Sequence, residues 1–490
     1  MHQLFIGHSK INLIHSFICI AVRYNHSMKY TYQYKALPTI EQKLDLNLWL
    51  RTCQYWYNRQ LGDRFDWWEQ NRCYINACPL ICHLPELRDN PNYYSQKKYL
   101  PEIKTDLVKI GWSSELLDFS RVPANTLQEV CKRVDKAFDR FLAGDSNGKR
   151  SGKPRFKSAE RFRSMVFEGA GLELHSCSLG GKFLFLKMPK LGLLKVQMHR
   201  NIPDGAILKQ VQLIKKADGW SVNLRLDDPT VPINSDGVDL NWDNALGIDA
   251  VLYEVDYLAT SEGDKLPSLK SFRKSAKRLA KVSNRKAAKK KRSRSRRKLA
   301  KREAREHQRI SRARRDHAFK TAHKVVRTGK TVFFYENLNL KGLSKRNGAK
   351  QDEQGKYVPN GQAAKSGLNK SWNDAAFGQF FTILEYIAAK AGAVAIKVNP
   401  AYTSQFLSYR DEFIFTDCSI REYWDEVENL WVDRDINAAI NIKRVGLGEF
   451  PTINRRRGKV VVGRSTTDST SKEVLSTLRS LEKPRLYAKH

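Results

Sequence analysis

The chain has 490 residues, 41% of them hydrophobic, enough apolar material for about two to four packed domains. Lys and Arg number 87 against 51 Asp and Glu, a net charge of +36, and a compact chain with that excess repels itself unless a polyanion neutralises it. Nucleic acid is the natural polyanion. An anionic membrane surface is the competitor, but no apolar run approaches the roughly 20 residues that a membrane span needs.

Residues 1–27 are mildly apolar but interrupted by Lys10 and several His, and they lack a small-residue cleavage site. They read as an upstream extension rather than a signal peptide, with Met28-Lys29-Tyr30 as the more natural start. Residues 29–36 alternate and are rich in Tyr and Thr, which predicts a strand. Residues 39–70 read as a helix carrying Trp49, Trp56, Trp67 and Trp68. These indoles suit either the core side of an amphipathic helix or a stacking platform for bases. The eight Cys are scattered, which points to a reducing cytosol rather than a disulfide framework. Their only cluster, Cys73, Cys78 and Cys82 with His83, has no CxxC pair and reads as ordinary thiols.

Residues 123–142 place Leu127, Val130, Val134, Ala137, Phe138 and Phe141 at helical spacing. A Gly- and Lys-rich break follows, from Gly144 to Pro154. Residues 163–228 then switch to short strand-like runs with Gly turns, a small β-barrel or sandwich into which the helical piece is inserted.

From about 243 the character changes again. Ala245-Leu246-Gly247-Ile248-Asp249 is a buried-strand pattern ending in an acid. Between Lys270 and Lys330 stand 27 Lys or Arg against three acids, Glu303, Glu306 and Asp316. Leu279, Val282, Leu299, Ile310, Phe319, Ala322 and Val325 give this run a thin apolar stripe, so it reads as a pair of long basic helices. Such a surface binds phosphates with affinity and salt dependence but without sequence choice. Thr331 to Glu336 is a second apolar run ending in an acid. Residues 343–368 read as a mobile polar loop, 370–391 as a helix, and Ala393 to Val398 as a third buried strand. Asp435 opens a last helix, and the basic, Ser/Thr-rich tail from about 451 reads as disordered.

Asp249, Glu336 and Asp435 therefore sit where apolar strands end or a helix begins. Hydrolysis of a phosphodiester needs its charged in-line transition state stabilised, and two magnesium ions about 4 Å apart do this. Magnesium takes hard oxygen ligands, hence Asp and Glu, and strand ends are where open α/β sheets place ligands. Each acid has an ordinary alternative as a helix cap, a turn former or a solvated strand end. Spacing alone does not make them a site.

Taken together the motifs match a family. Leu37-Pro38-Thr39-Ile40-Glu41-Gln42, Tyr57-Asn58, Gly152-Lys153-Pro154-Arg155-Phe156-Lys157, Gly247-Ile248-Asp249, Glu336-Asn337-Leu338, Tyr402-Thr403-Ser404-Gln405 and Asp433-Arg434-Asp435-Ile436-Asn437-Ala438-Ala439-Ile440-Asn441-Ile442 occur in this order. Over roughly residues 28–445 the chain resembles the TnpB (OrfB) proteins of bacterial insertion sequences, which are similar to compact type V CRISPR effectors. The resemblance implies an α/β, RuvC-type (ribonuclease-H-like) nuclease domain preceded by a β-barrel wedge domain with a helical recognition insertion. It implies a wedge strand at 28–45, the recognition insertion at 46–150, the wedge barrel at 151–240, and the RuvC-like domain at 241–400 with its basic helical insertion at 270–330. A degenerate zinc-ribbon segment would follow at 401–432, the last RuvC segment at 433–450, and a basic disordered tail at 451–490.

The same resemblance implies that Asp249, Glu336 and Asp435 are catalytic and carry Mg2+ (or Mn2+). It implies a guide RNA from the transposon end and a double-stranded DNA target, without a membrane, in a bacterial cytoplasm close to the nucleoid. Nucleic-acid contacts are expected from Lys289, Lys290, Lys291, Arg292, Arg294, Arg296, Arg297, Lys298, Arg155 and Lys157. The family's two CxxC pairs fall here on Leu407 and Arg410 and on Asp425 and Glu428. None is Cys, so no zinc is expected, and Phe413, Phe415, Tyr423, Trp424 and Trp431 would pack that segment instead. Ala250-Val251-Leu252 also departs from the usual residues after the first acid. The intact acids favour an RNA-guided DNA endonuclease. The lost cysteines favour a guided DNA-binding protein that does not cut, a repressor or a decayed transposon protein. A DNA-strand transferase, the activity behind the family's older name of transposase, is the weakest reading, since no Tyr stands in a nucleophile's context.

Overall fold

The computed structural model describes residues 28–71, 89–105, 107–111, 114–169, 171–176, 181–231, 238–410, 412–415, 417, 419–456, 459–462 and 467–481. Residues 1–27 and the Cys73, Cys78, Cys82 and His83 cluster lie outside them. The chain divides between Thr230 and Val231 into two compact units.

The first unit is built on an antiparallel sheet. Its strands are β1 (Met28–Ala36), β4 (Ser164–Glu168), β5 (Glu173–Ser176), β6 (Phe183–Met188), β7 (Gly192–Gln197), β8 (Ile207–Lys216) and β9 (Gly219–Asp228). Their order is β4-β8-β9-β1-β7-β6-β5. Alternation dictates the faces: along β1 the rings of Tyr30, Tyr32 and Tyr34 are buried while the residues between them are not. Between β1 and β4 lie α1 (Ile40–Asn71), two short helices, α2 (Tyr93–Lys97) and α3 (Leu100–Ile103), a small hairpin of β2 (Leu107–Lys109) and β3 (Leu116–Asp118), and α4 (Ala124–Leu142). Trp49 and Trp56 are 1% and 2% exposed, and Trp56 meets Phe119 edge-on at 5.8 Å. Of the two roles open to the indoles, these two take the core role, while Trp67 and Trp68 are half-buried. Leu127, Val130, Val134 and Phe138 of α4 are fully buried or nearly so.

The second unit holds a mixed five-stranded sheet in the order β12-β11-β10-β13-β16. The strands are β10 (Ala245–Ala250), β11 (Asp256–Thr260), β12 (Lys265–Pro267), β13 (Val332–Glu336) and β16 (Val394–Val398), the last three separated by the basic helices α5 (Ser271–Ala287) and α6 (Arg294–Val326) and by α7 (Leu340–Leu343), the β14 (Lys350–Gln351) and β15 (Tyr357–Val358) hairpin, α8 (Gln362–Ala375) and α9 (Phe377–Lys390). Strands β10, β13 and β16 run parallel and read as continuous apolar runs because both faces are covered. On one face Phe380, Phe381 and Leu384 of α9 and Ala322 and Val325 of α6 bury Leu246, Phe333 and Tyr335. On the other lies α10 (Arg434–Leu447), which puts Ile442 against Ala245, Val332 and Phe334.

Helices α5 and α6 form the expected basic pair. Arg278 Nε lies 2.8 Å from a Glu306 oxygen, and Lys286 pairs with Glu303, so two of the three acids in this stretch hold the hairpin together. The polar stretch 343–368, expected as a mobile loop, carries the β14–β15 hairpin, and its last residues, 362–368, are already the start of α8.

The tail is a correction. After β17 (Glu422–Asp425), β18 (Leu430–Asp433), β19 (Ile453–Arg456) and β20 (Lys459–Val462), residues Asp468–Leu481 form α11. Val474 and Leu478 of α11 are 0% and 5% exposed, in a cluster with Leu407, Tyr409, Phe415, Leu430, Val432 and Ile440. Composition suggested disorder there because the four apolar residues, Val474, Leu475, Leu478 and Leu481, are few among Ser and Thr.

Candidate active site

The parallel register of β10 and β13 pairs Ile248 with Tyr335, so the next residues, Asp249 and Glu336, lie side by side at the C-terminal ends of the two strands. The Ala250 N–H donates to Glu336 Oε2 at 3.3 Å. Asp435 comes from the first turn of α10. Asp433 caps that turn, its Oδ1 accepting from the N–H groups of Asp435 and Ile436 at 2.9 and 3.1 Å. Helix α10 reaches β10 because residue 247 is Gly. A Cβ there would stand 2.0 Å from the Ala439 carbonyl oxygen, so any side chain would push the helix and Asp435 away from the sheet.

Asp249 and Asp435 are 8% and 6% exposed. Burial, then the charges of Glu336 and Asp435, hold the Asp249 carboxyl well above the usual carboxylate range. Burial pushes Glu336 up to about 7, against the hydrogen bond from Ala250. Burial also raises Asp435, with Arg421 pulling the other way and Asp433 adding to the rise. Two buried carboxylates and a half-buried one thus resist ionising together.

The cations already present are side chains. Arg421 Nη2 donates to both oxygens of Asp435, at 2.5 and 2.8 Å, and its guanidinium lies 4.1 Å from the Tyr253 ring. Lys265 Nζ is 2.6 Å from Asp433 Oδ2 and 3.5 Å from Asp435 Oδ2. Among the described residues no three His, Cys, Asp or Glu side chains stand close enough to hold a metal ion. The donor set fits magnesium in kind, being all carboxylate. The three acids are electrostatic neighbours rather than a closed ligand shell, because Asp435 is engaged by Arg421. Neither Arg421 nor Lys265 has a spacing signal in the sequence, which is why sequence reasoning missed them.

The remaining residues of the last motif have structural roles. Asn437 and Asn441, one turn apart on α10, are fully buried. Asn437 accepts from the Ser408 N–H at 2.8 Å and donates to the Phe406 carbonyl at 2.8 Å, and Asn441 donates to the Thr403 carbonyl at 2.9 Å. They tie the Tyr402-Thr403-Ser404-Gln405 loop to the helix that carries Asp435.

At the positions where the family places zinc ligands, Leu407 is in the apolar cluster with α11. Arg410 and Asp425 form an ion pair at 3.0 Å, with Asp425 0% exposed and accepting from Tyr409 Oη and from the Val427 N–H at 2.5 and 3.0 Å. Glu428 pairs with Arg479 of α11 at 2.8 Å. Of the aromatics expected to pack this segment, Phe415 is buried, whereas Trp424 and Trp431 are 37% and 42% exposed and cover one another across the β17–β18 hairpin.

Lys289, Lys290, Lys291, Arg292, Arg294, Arg297 and Lys298 are all exposed, at the turn between α5 and α6 and along the first turns of α6. Arg296 differs. Its Nη1 donates to the carbonyls of Lys286 and Lys289 at 3.0 Å each and so caps the end of α5. In the first unit Arg155 is exposed and Lys157 is half-buried, its ammonium 4.3 Å from the Tyr57 ring.

Three family models match the chain. They are a helix-turn-helix domain of OrfB (IS605) proteins at residues 28–73, an OrfB (IS605) probable transposase at 235–347, and a Cas12f1-like TNB domain at 377–442. The described part of the first match is a strand and one long helix, β1 and α1. The chain is 25% identical over 380 residues to the "Putative RNA-guided DNA endonuclease InsQ" of Escherichia coli (strain K12), covering 76% of this chain and 88% of that one. It is 26% identical over 429 residues to a "Putative RNA-guided DNA endonuclease" of Streptomyces pristinaespiralis, covering 86% and 90%. Among solved structures, a Cas12f1 chain from a complex with sgRNA and target DNA aligns at a TM-score of 0.43 and 13% identity, covering 86% of this chain and 99% of that one. With its motifs in family order and its matches to the OrfB and Cas12f1-like models, the chain is a TnpB-like protein.

Proposed function

We propose that this protein is an RNA-guided DNA endonuclease that hydrolyses target phosphodiesters at Asp249, Glu336 and Asp435. The observation that carries the reading is the side-by-side placement of Asp249 and Glu336 at the ends of adjacent parallel strands, both raised toward protonation, with Asp435 of α10 near enough to raise Asp249 further. These three carboxylates would hold magnesium or manganese. When bound there, the ions supply a lowered pKa for an attacking water and charge stabilisation at the scissile phosphate. The chain's own residues do the positioning: Asp433 caps the turn that presents Asp435, and Gly247 lets α10 lie on the sheet.

The names of the curated relatives support RNA as guide and DNA as target. A guide from the transposon end would pair with one strand of double-stranded DNA, leaving sequence choice to base pairing and backbone shape to the protein. The exposed cations of the α5–α6 hairpin suit that backbone role, and Arg155 and Lys157 suit it in the first unit. In this reading the second unit is the RuvC-type nuclease domain, and the seven-stranded sheet of the first is the wedge, with α1 to α4 as the recognition insertion. The protein would act in the bacterial cytoplasm at the nucleoid. No helix among the described residues is long and apolar enough to cross a membrane.

One observation favours a second reading, a guided DNA binder that does not cut: Arg421 and Lys265 already neutralise Asp435. The test purifies the protein with RNA co-expressed from its own transposon end, sequences the retained RNA, and challenges the complex with a plasmid library and magnesium. Cutting beside one short motif, abolished by Asp249→Ala, supports the nuclease. Specific target binding without cutting supports the second reading, and the absence of specific RNA sinks both.

A further inference from the structure

Two of the sequence motifs, Tyr57-Asn58 and Gly152-Lys153-Pro154-Arg155-Phe156-Lys157, play no part in the carboxylate site. In the fold they form one feature of the first unit. Asn58 accepts from the Lys157 N–H at 2.9 Å and donates to the Lys157 carbonyl at 2.9 Å, and Gln54 donates to the same carbonyl at 2.7 Å. Residues 151–157 belong to no helix or strand; these bonds from α1 hold one end of the segment, and the Ser151 N–H, donating to the Arg140 carbonyl at 2.8 Å, holds the other.

The clamp leaves Phe156 in solvent. Its ring is 56% exposed and touches Phe65 edge-on at 5.6 Å. A lone exposed Phe on a surface is ordinary. This one sits on a segment fixed by three hydrogen bonds at the neighbouring residue, and it lines two cavities. One, of about 390 Å³, is lined by Arg140, Arg155, Lys157 and Arg161 with Tyr57, and no carboxylate lines it. The other, of about 460 Å³, is lined by Asp66 and Glu69 besides Lys153 and Arg155.

We infer that this notch binds one unpaired nucleotide of a single strand, its base stacked on Phe156 and its phosphate in the four-cation cavity. Every base has a π face, so an exposed aromatic beside cations takes single strands with little sequence preference. A duplex keeps its bases stacked inside and offers only phosphates to the same cations. The inference rests on the nucleic-acid-binding part of the function proposed above and deepens it. It does not depend on whether the carboxylates cut.

The experiment uses the full chain with single-stranded RNA and DNA of one sequence, each carrying a single 2-aminopurine, and with the matching duplex. Wild-type protein should quench 2-aminopurine in the single strands. Phe156→Ala should weaken single-strand binding roughly tenfold and abolish quenching, with duplex affinity changed less than about twofold. Phe156→Tyr should keep both. Arg161→Ala should weaken single strand and duplex together and lower the salt slope by about one. Comparing RNA with DNA identifies which strand the notch prefers. Unchanged binding and quenching in Phe156→Ala overturns the inference, and so does an equal loss of single strand and duplex. Failure of the wild type to bind any probe overturns the nucleic-acid reading itself.

Discussion

Arg421 places a single nitrogen, Nη2, against both carboxylate oxygens of Asp435 at 2.5 and 2.8 Å, where a divalent cation would have to bind. If the proposed function holds, arginine and metal would compete for one carboxylate. In Arg421→Gln the protein without added metal should lose on the order of 1–3 kcal/mol, because Asp435 is 6% exposed and keeps only Lys265 as a cationic neighbour. Added magnesium should restore more stability in the variant than in the wild type, and manganese should bind the variant several-fold more tightly by calorimetry. A metal-induced rise in Tm no larger than that of the wild type would sink the competition.

The site should make stability depend on pH in an unusual direction. Glu336 is pushed up to about 7 from its ordinary 4.5, so between those values the folded chain holds a proton that the unfolded chain has released. Its stabilising contribution is complete below the unfolded value and is lost as pH rises through the folded one, a loss on the order of 3 kcal/mol. Asp249 and Asp435 shift in the same direction. Thermal melts without metal should fall in Tm from about pH 5 to about pH 8, and Glu336→Gln should flatten that slope. Saturating magnesium should flatten it too, because metal displaces those protons. A wild-type Tm that rises over this range without metal would count against the buried, proton-holding carboxylates.

Much of this was legible from residue patterns, for identifiable reasons. Ala245 to Asp249 and Thr331 to Glu336 announce themselves because strands buried on both faces are continuous apolar runs, and an acid at their end is conspicuous. The α5–α6 hairpin was legible from charge density and a thin apolar stripe. Lys265 and Arg421 were not, since a lone cation in a basic chain carries no pattern and only the fold brings each to Asp435. Asn437 and Asn441 were legible as a motif but not as a clamp on the 403–408 backbone. Helix α11 was missed because its few apolar residues, with Val474 and Leu478 buried and Leu475 packed beside them, are outnumbered by Ser and Thr.

Where the family carries zinc ligands, this chain has an Arg410–Asp425 pair at 3.0 Å and a Tyr409 hydrogen bond onto the same carboxylate. Asp425 is the buried partner, so Arg410→Ala, which leaves that carboxylate buried without its cation, should cost roughly 3–5 kcal/mol. Metal analysis of purified protein should find no stoichiometric zinc, and a zinc chelator should leave Tm unchanged. A chelator-sensitive Tm would mean that metal, not the ion pair, closes this segment.

Helix α11 joins the same segment by packing as well as by charge. Leu478 is 5% exposed among Leu407, Phe415 and Val432, Ser471 Oγ donates to the Tyr409 carbonyl at 2.8 Å, and Arg479 meets Glu428 at 2.8 Å. Leu478→Ala should cost about 2–5 kcal/mol by leaving a cavity, whereas Arg479→Ala, at an exposed pair, should cost at most about 1 kcal/mol. The consequence should reach the carboxylates, because the segment that α11 supports carries Arg421. Hydrogen exchange on Leu478→Ala should therefore show faster exchange across residues 419–434, with β10 and β13 unchanged. Equal exchange in the two proteins would show that α11 decorates the segment without holding it.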